Sequence, residues 1–191
     1  MIRTYHEDRT FNAGELRPEA FAGAEFERCA FRNGAWMEAD LSKARFTDCT
    51  FEQCDLSNAV IDGTGYRTVR FAGCKLLGNR FDRCNPFLLR LSFEQCRLDF
   101  ASFSTLMLKN TRFTGCSLVE VDFAGAGLSN AQFNDCDLSG ALFDGTDLTN
   151  ADLRTAHGFI IDPGTSRIKG AHFALHGLPG LLMQHGIHVE G

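Results

Sequence analysis

A large apolar side chain returns at every fifth position over most of this chain. The period runs without exception from position 11 to position 81 and then, after a longer step, from position 93 to position 153. An amphipathic helix repeats its apolar residues with a period near 3.6 and a half-buried strand with a period of 2, so neither element produces this pattern. Fixed self-similarity is typical of a solenoid, in which each repeat buries its apolar face against its neighbours.

A second preference lies two residues before each large side chain, where the chain favours Ala or Cys. Examples are residues 39–41 (Ala-Asp-Leu), 54–56 (Cys-Asp-Leu) and 136–138 (Cys-Asp-Leu). These segments resemble the pentapeptide-repeat family, whose motif is A(D/N)LXX with Cys, Ser, Thr or Val tolerated at the first place. The resemblance implies an all-β fold, a right-handed quadrilateral β-helix in which each pentapeptide forms one side.

The cysteines support four sides independently. Cys29 and Cys49, and likewise Cys96 and Cys116, are separated by four pentapeptides, which is one turn of a four-sided coil. At about 4.8 Å between neighbouring strands, 28 sides would give a rod of about 35 Å. With a last partial coil, we expect about 7–8 coils. We expect all eight cysteines to be free and buried and to pack as small hydrophobic side chains, without forming disulfides or binding zinc.

Two interruptions divide the chain. We expect the following segments: an N-terminal cap (1–10), a first run of repeats (11–81), a phase slip (82–92), a second run (93–153), an irregular excursion with a last partial coil (154–176) and a C-terminal helix with a tail (177–191). Pro86 suits a bulge because it cannot donate to a backbone ladder. The phase slip is open to two interpretations, a two-residue bulge that bends the rod or a small loop that presents Phe87 and Arg90 to a partner.

The C-terminal segment carries a second resemblance. Pro179 suits the first turn of a helix and Gly186 its C-terminal cap. Residues 181–183 and 186–189, together with 161–163, are similar to the ends of the Qnr, McbG, AlbG and MfpA group of pentapeptide-repeat proteins. That resemblance implies a two-fold homodimer through this end. The expected interface residues are Leu178, Leu181, Leu182, Ile187 and Val189.

Sequence motifs for catalysis are missing. The chain has no nucleotide-binding glycine motif, nucleophile elbow or HExxH sequence, so we expect no enzyme, no cofactor and no metal site. Five of the six histidines follow position 156 without cysteine or carboxylate companions. No long apolar run or signal-like N-terminus is present, which predicts a cytoplasmic protein without a membrane segment.

Charge is distributed unevenly along the chain. Residues 67–112 carry nine Lys or Arg and three acids, whereas residues 113–153 carry seven acids and no Lys or Arg; the net charge is −5. We expect the acids, with Phe87 and Arg90, to bind a partner. The acids are Glu120, Asp122, Asp135, Asp137, Asp144, Asp147 and Asp152.

The resemblance to the topoisomerase-protecting group implies a function for this charge. It implies a non-catalytic, DNA-mimicking protein that binds DNA gyrase or topoisomerase IV, not nucleic acid itself. Such a protein would protect the enzyme from quinolone, microcin or albicidin-like poisons. The alternative is a structural or scaffolding solenoid that binds an unrelated protein, with the acids serving solubility.

Overall fold

The fold is a parallel β-solenoid, seen in a computed structural model that describes residues 4–187. Its eleven short strands form a four-stranded sheet in the order β1-β3-β5-β7 and a seven-stranded sheet in the order β2-β4-β6-β8-β9-β10-β11. The strands are β1 (Tyr5–Glu7), β2 (Thr10–Phe11), β3 (Glu25–Glu27), β4 (Ala30–Arg32), β5 (Arg45–Thr47), β6 (Thr50–Glu52), β7 (Gly65–Arg67), β8 (Val69–Ala72), β9 (Leu91–Glu94), β10 (Arg112–Thr114) and β11 (Gln132–Asn134). Every paired strand is parallel to its neighbour, which confirms the predicted all-β solenoid.

The register gives the coil four faces of five residues each. We number the faces by their central residues, which point inward except for the exposed Pro86. Face 1 contains Phe11, Phe31, Phe51, Phe71, Phe93, Phe113 and Phe133, face 2 Leu16, Trp36, Leu56, Leu76, Leu98, Leu118 and Leu138, face 3 Phe21, Leu41, Ile61, Phe81, Phe103, Phe123 and Phe143, and face 4 His6, Phe26, Phe46, Tyr66, Pro86, Leu108, Leu128 and Leu148. The seven strands of face 1 enclose six turns, and the bridges from Gln132 to Asp152 and on to His172 add two more. The predicted 7–8 coils are therefore confirmed, and the first strand lies within the segment expected to form an N-terminal cap.

Stacked aromatic rings fill the core. Along face 1, Phe113 lies between Phe93 and Phe133 with ring centroids 5.2 and 5.1 Å apart, and all three rings are nearly parallel. Phe103 and Phe123 project from the opposite face and meet Phe113 edge to face at 6.0 Å. Offset stacks along a face and edge contacts across the core are the arrangements that aromatic quadrupoles favour. The large side chains at five-residue spacing thus point inward, as predicted.

The small position, two residues before each central one, also has a polar role. Cys54 Sγ donates to Phe31 O at 3.4 Å, and Thr146 Oγ1 donates to Phe123 O at 2.8 Å, in both cases to the preceding coil. Cys and Thr therefore fit this place because they are small and can donate to a carbonyl group. All eight cysteines are buried, as predicted. Burial raises the pKa of the Cys49 thiol to about 12, so this thiol is neutral.

Most corners are turned by a residue with a left-handed backbone, two places after the central residue. Eighteen such residues are not glycine, among them Asn58, Asn130 and Glu120. The turn therefore requires the left-handed backbone conformation but accepts many residue types, although Asn and Asp adopt this conformation most easily. Gly63, with φ +68°, also turns a corner, whereas Gly65 lies in β7, buried in the ladder.

The phase slip is accommodated at the corner between faces 4 and 1. Pro86 takes the central place of face 4, a turn follows at residues 87–88, and β9 resumes the ladder with Phe93 opposite Phe71. This coil holds 22 residues, since 93 − 71 = 22, whereas its neighbours hold 20. The two extra residues enlarge the corner without displacing the core.

Two 3₁₀-helices cover the C-terminal end. They span Leu175–Leu181 and Met183–His185, and Gly186 caps the second with φ +66°. The cap was predicted, but the helical segment begins four residues before Pro179 and is 3₁₀ in type. Gly180 lies so close to Phe159 that a Cβ would approach its carbonyl oxygen to 2.2 Å. Glycine at this place lets the segment pack on the last coil.

Candidate partner-binding surfaces

The seven predicted acids do not share one face. Asp152 lies on face 1, Asp137 on face 2, Asp122 on face 3 and Asp147 on face 4, as their bridges to the neighbouring coils show. The remaining acids are at corners or beside the central residues, with Asp135 after face 1, Glu120 after face 2 and Asp144 on face 3. The expected surface is thus an acidic band that encircles the last coils; we use this name for the seven residues together.

Four of the seven carboxylates also hold the coil in shape. Asp147 Oδ1 accepts from the Thr149 N–H at 3.0 Å and from Thr149 Oγ1 at 2.6 Å. Asp137 accepts from both donors of Ser139 in the same way. Asp122 and Asp152 each accept the backbone N–H two residues later. This Asx-type contact satisfies a donor that the turn leaves unpaired.

The same contacts change the acidity of these groups. The hydrogen bond from Ser139 is the largest influence that holds the pKa of Asp137 below its usual value, and Thr149 does the same for Asp147. The Arg154 guanidinium lowers the pKa of Asp152 through a contact of 2.7 Å. These carboxylates are therefore charged at neutral pH, but they are committed to their own coil.

The other three acids are available to a partner. Among the described residues, the side chains of Glu120, Asp135 and Asp144 form neither an ion pair nor a side-chain hydrogen bond, and all three are exposed. The acidic band therefore contains three carboxylates without such contacts, located after face 1, after face 2 and on face 3. Its other four carboxylates also stabilise turns of the coil.

Phe87 and Arg90 lie at the enlarged corner. Phe87 is 62% exposed, and the Arg67 guanidinium lies over its ring at 5.3 Å. The Arg90 backbone donates to Tyr66 O and accepts from Val69 N–H, so it is tied to the coil before it while its side chain is exposed. Phe87 and Arg90 thus both present side chains to solvent on the edge between faces 4 and 1.

The C-terminal apolar residues differ in accessibility. Leu178 and Ile187 are 41% and 49% exposed, whereas Leu181 packs against the core and Leu182 is half-buried. Val189 lies outside the described residues. The structure adds Leu175 at 84% exposure and, near it in sequence, Met183 at 57%. Neither was in the predicted interface set, although both fall in the tail that the sequence marked as an interface.

Two other features are absent from residues 4–187, a metal-ligating cluster and a membrane-spanning helix. Within that range, histidine, cysteine and carboxylate side chains do not gather in groups of three that could ligate a metal ion. Nor does that range contain a helix with the length and hydrophobicity that crossing a membrane requires.

Comparison with known proteins identifies the family. A model of the pentapeptide repeat region matches residues 87–157, and a model of pentapeptide repeats in eight copies matches residues 21–58. The chain is a pentapeptide-repeat protein. A comparison with curated proteins by sequence gave no match.

Solved pentapeptide-repeat structures share its fold. A trypsin-treated variant of QnrB1, a plasmid-mediated fluoroquinolone resistance protein, superposes with a TM-score of 0.64 at 19% identity, covering 97% of this chain and 100% of that one. A second trypsin-treated QnrB1 variant gives a TM-score of 0.53 at 17% identity and covers 100% of both chains. HetL from the cyanobacterium Nostoc sp. gives 0.46 at 18% identity over 88% of this chain and 84% of its own. At these identities the similarity to QnrB1 establishes the fold.

Proposed function

We propose that this pentapeptide-repeat protein binds DNA gyrase or topoisomerase IV in place of duplex DNA and protects the enzyme from poisons, without catalysing a reaction. The observation that carries this proposal is the acidic band on a solenoid that matches the resistance protein QnrB1 over almost its full length. A rod with carboxylates on all four faces presents negative charge in every direction, as a DNA duplex does.

The local charge density of the band supports the proposal. Residues 120–152 are 33 positions, which at 20 per coil is about 1.6 coils or roughly 8 Å of the axis. Duplex DNA carries one charge per about 1.7 Å, hence about five phosphates over the same length. The seven acids of the band reach a similar density, whereas the whole chain with its net charge of −5 does not. The band, and not the whole rod, is therefore the part that imitates DNA, and its field would steer it toward basic DNA-binding surfaces.

A homodimer through the C-terminal end belongs to the same proposal. Leu175, Leu178, Met183 and Ile187 form exposed apolar positions beyond the last coil. Their burial against a second copy would bring two acidic bands toward the middle of one longer rod, with Arg167 and Lys169 between each band and the junction. Protection then requires that the dimer prefer the poisoned enzyme–DNA complex to the free enzyme.

The scaffolding alternative has an observation of its own. Since Asp122, Asp137, Asp147 and Asp152 stabilise turns, part of the acidic character follows from the fold alone. Under this alternative the partner is an unrelated protein and the acidic band serves solubility.

Binding to purified gyrase, measured with competing duplex DNA, separates the two. Glu120→Lys with Asp135→Lys reverses two free carboxylates at left-handed corners without removing a turn contact. The matched control, Glu38→Lys with Asp48→Lys, makes the same change at left-handed corners in the first run. We expect the first pair to abolish binding and the control to retain it. Equal binding by both variants would favour the scaffold.

A further inference from the structure

An open cleft of about 790 Å³ crosses the edge between faces 4 and 1. It is lined by segments of three successive coils, residues 68–70, 89–92 and 107–112 without Leu108. It lies where the first run, the phase slip and the second run meet, none of its lining residues belongs to the acidic band, and the topoisomerase proposal does not explain it.

Pro86 accounts for the cleft. In an intact part of face 4, the central Leu108 donates its backbone N–H to Gly127 O at 2.8 Å. Pro86 has no N–H to donate to the next coil. Bridges join Gly65 to Asn85 and Met107 to Gly127, but within residues 4–187 none joins Asn85 to Met107. The ladder of face 4 is interrupted here, and the enlarged corner stands beside the gap.

The interruption leaves polar backbone groups at the cleft. Within the described range, the N–H groups of Thr68 and Met107 donate no hydrogen bond, although both residues line the cleft. Both residues are exposed at the cleft, which leaves these donors for a ligand that enters it. Free backbone donors beside a positive surface favour an anionic acceptor.

Side chains add positive charge and apolar surface to the same place. Arg90, Lys109 and Arg112 are exposed, and none forms an ion pair with a carboxylate of residues 4–187. Met107 is 70% exposed at the rim, while Leu89 packs against the core below it. The cleft thus combines three unpaired cations with an accessible thioether and an aliphatic floor.

We propose that this cleft binds a short acidic segment of a partner protein, with carboxylates on Arg90, Lys109 and Arg112 and an apolar side chain against Met107 and Leu89. Arginine and lysine bind carboxylates through charge-assisted hydrogen bonds, and methionine adapts to varied apolar side chains. The proposal is independent of topoisomerase binding, because none of these contacts involves the acidic band.

A peptide fits the cleft better than a nucleic-acid strand. The lining contains no aromatic ring on which a base could stack, and the nearby Phe87 lies outside it, under Arg67. A long polyanion would also meet a protein of net charge −5. A short acidic segment interacts mainly with the cations within a Debye length of about 8–10 Å.

Fluorescence anisotropy with a labelled peptide tests the proposal. The probe is a glutamate-rich peptide with two leucines and about eight residues, which at ~3.3 Å per residue is about 26 Å long and so exceeds the roughly 10 Å between the first and third coils of the cleft. We expect saturable binding that weakens with salt and is lost when glutamine replaces glutamate in the peptide. Arg90→Glu with Lys109→Glu should weaken binding by at least about tenfold, as expected for the loss of charge-assisted contacts.

The control is Lys169→Glu, which changes the equivalent place on face 4 three coils later, since 109 + 3 × 20 = 169. It should bind as the wild type does. Met107→Ala should weaken binding severalfold, whereas Leu142→Ala, at an exposed residue on face 3, should not. All variants should keep the wild-type far-UV spectrum and thermal midpoint.

Three results would overturn the proposal. The first is a lack of saturable peptide binding by the wild type. The second is an equal loss of peptide binding in Lys169→Glu and in the cleft variant. The third is that labelled oligothymidylate binds more tightly than the peptide and that the cleft variant loses this oligonucleotide binding. The last result would assign the cleft to single-stranded nucleic acid.

Discussion

Truncation of a stacked phenylalanine gives the strongest test of the core. Phe113 has no solvent exposure and contacts rings above, below and across the solenoid. Phe113→Ala would remove the buried ring and leave a cavity that the rigid coils above and below cannot close. Truncation of buried phenylalanine typically costs about 3–5 kcal/mol. Two stacked neighbours, each contributing about 0.5–1.5 kcal/mol beyond burial, place this site near the upper end.

The assay is urea denaturation followed by circular dichroism. We expect a loss of about 4–5 kcal/mol in the free energy of unfolding. The matched control is Phe87→Ala, because Phe87 is 62% exposed and should cost less than about 1 kcal/mol. The slope of the free energy with denaturant must be compared too, since a change would indicate that the coils unfold separately. A cost below about 1 kcal/mol for Phe113→Ala, at an unchanged slope, would refute the inward-facing assignment.

Three further predictions concern the first coil, the turns and the C-terminal end. His6 stacks on Phe26, and desolvation lowers the pKa of its imidazole, so protonation favours the unfolded chain and stability should fall as pH drops below about 6.5. His6→Phe should remove this dependence when thermal melts at pH 5 and pH 8 are compared. An unchanged difference in melting temperature between the two pH values would contradict the prediction. Asp147→Ala should cost about 1 kcal/mol in urea denaturation and Asp147→Asn less, because Asn retains an acceptor for the Thr149 N–H; equal costs would contradict the turn contact. Leu178→Glu should convert a dimer to a monomer in sedimentation while Met37→Glu, an exposed change in the first run, should not; an unchanged mass for Leu178→Glu would refute the C-terminal interface.

The sequence predicted the core because its period and its chemistry agree. Once four sides close a coil, a large apolar side chain at each fifth position can only point into the core. Cys54 and Cys74 are 20 residues apart and therefore lie on the same face of neighbouring coils. The phase slip was predicted at residues 82–92, and its position at one corner follows from Pro86 and the two extra residues. His6 was not included among the inward-facing residues, because the apolar pattern was sought and His6 is polar, although it occupies the place five residues before Phe11.

The acidic surface was predicted less well, although the sequence contained the necessary signal. Asp122, Asp137, Asp147 and Asp152 are separated by multiples of five that are not multiples of 20, so they must lie on different faces. Their hydrogen bonds to the N–H two residues later could not be predicted from spacing, because they depend on the turn conformation after each central residue. The cleft depends on the absence of a single N–H at Pro86 together with the path of the enlarged corner, which no local pattern specifies.

The most direct test of topoisomerase protection is quinolone-trapped cleavage of DNA by purified gyrase over a titration of this protein. The proposal predicts that trapped cleavage falls as protein is added, that Glu120→Lys with Asp135→Lys loses the effect and that Glu38→Lys with Asp48→Lys retains it. Trapped cleavage that stays constant over the whole titration, with the wild-type protein folded and dimeric, would contradict it.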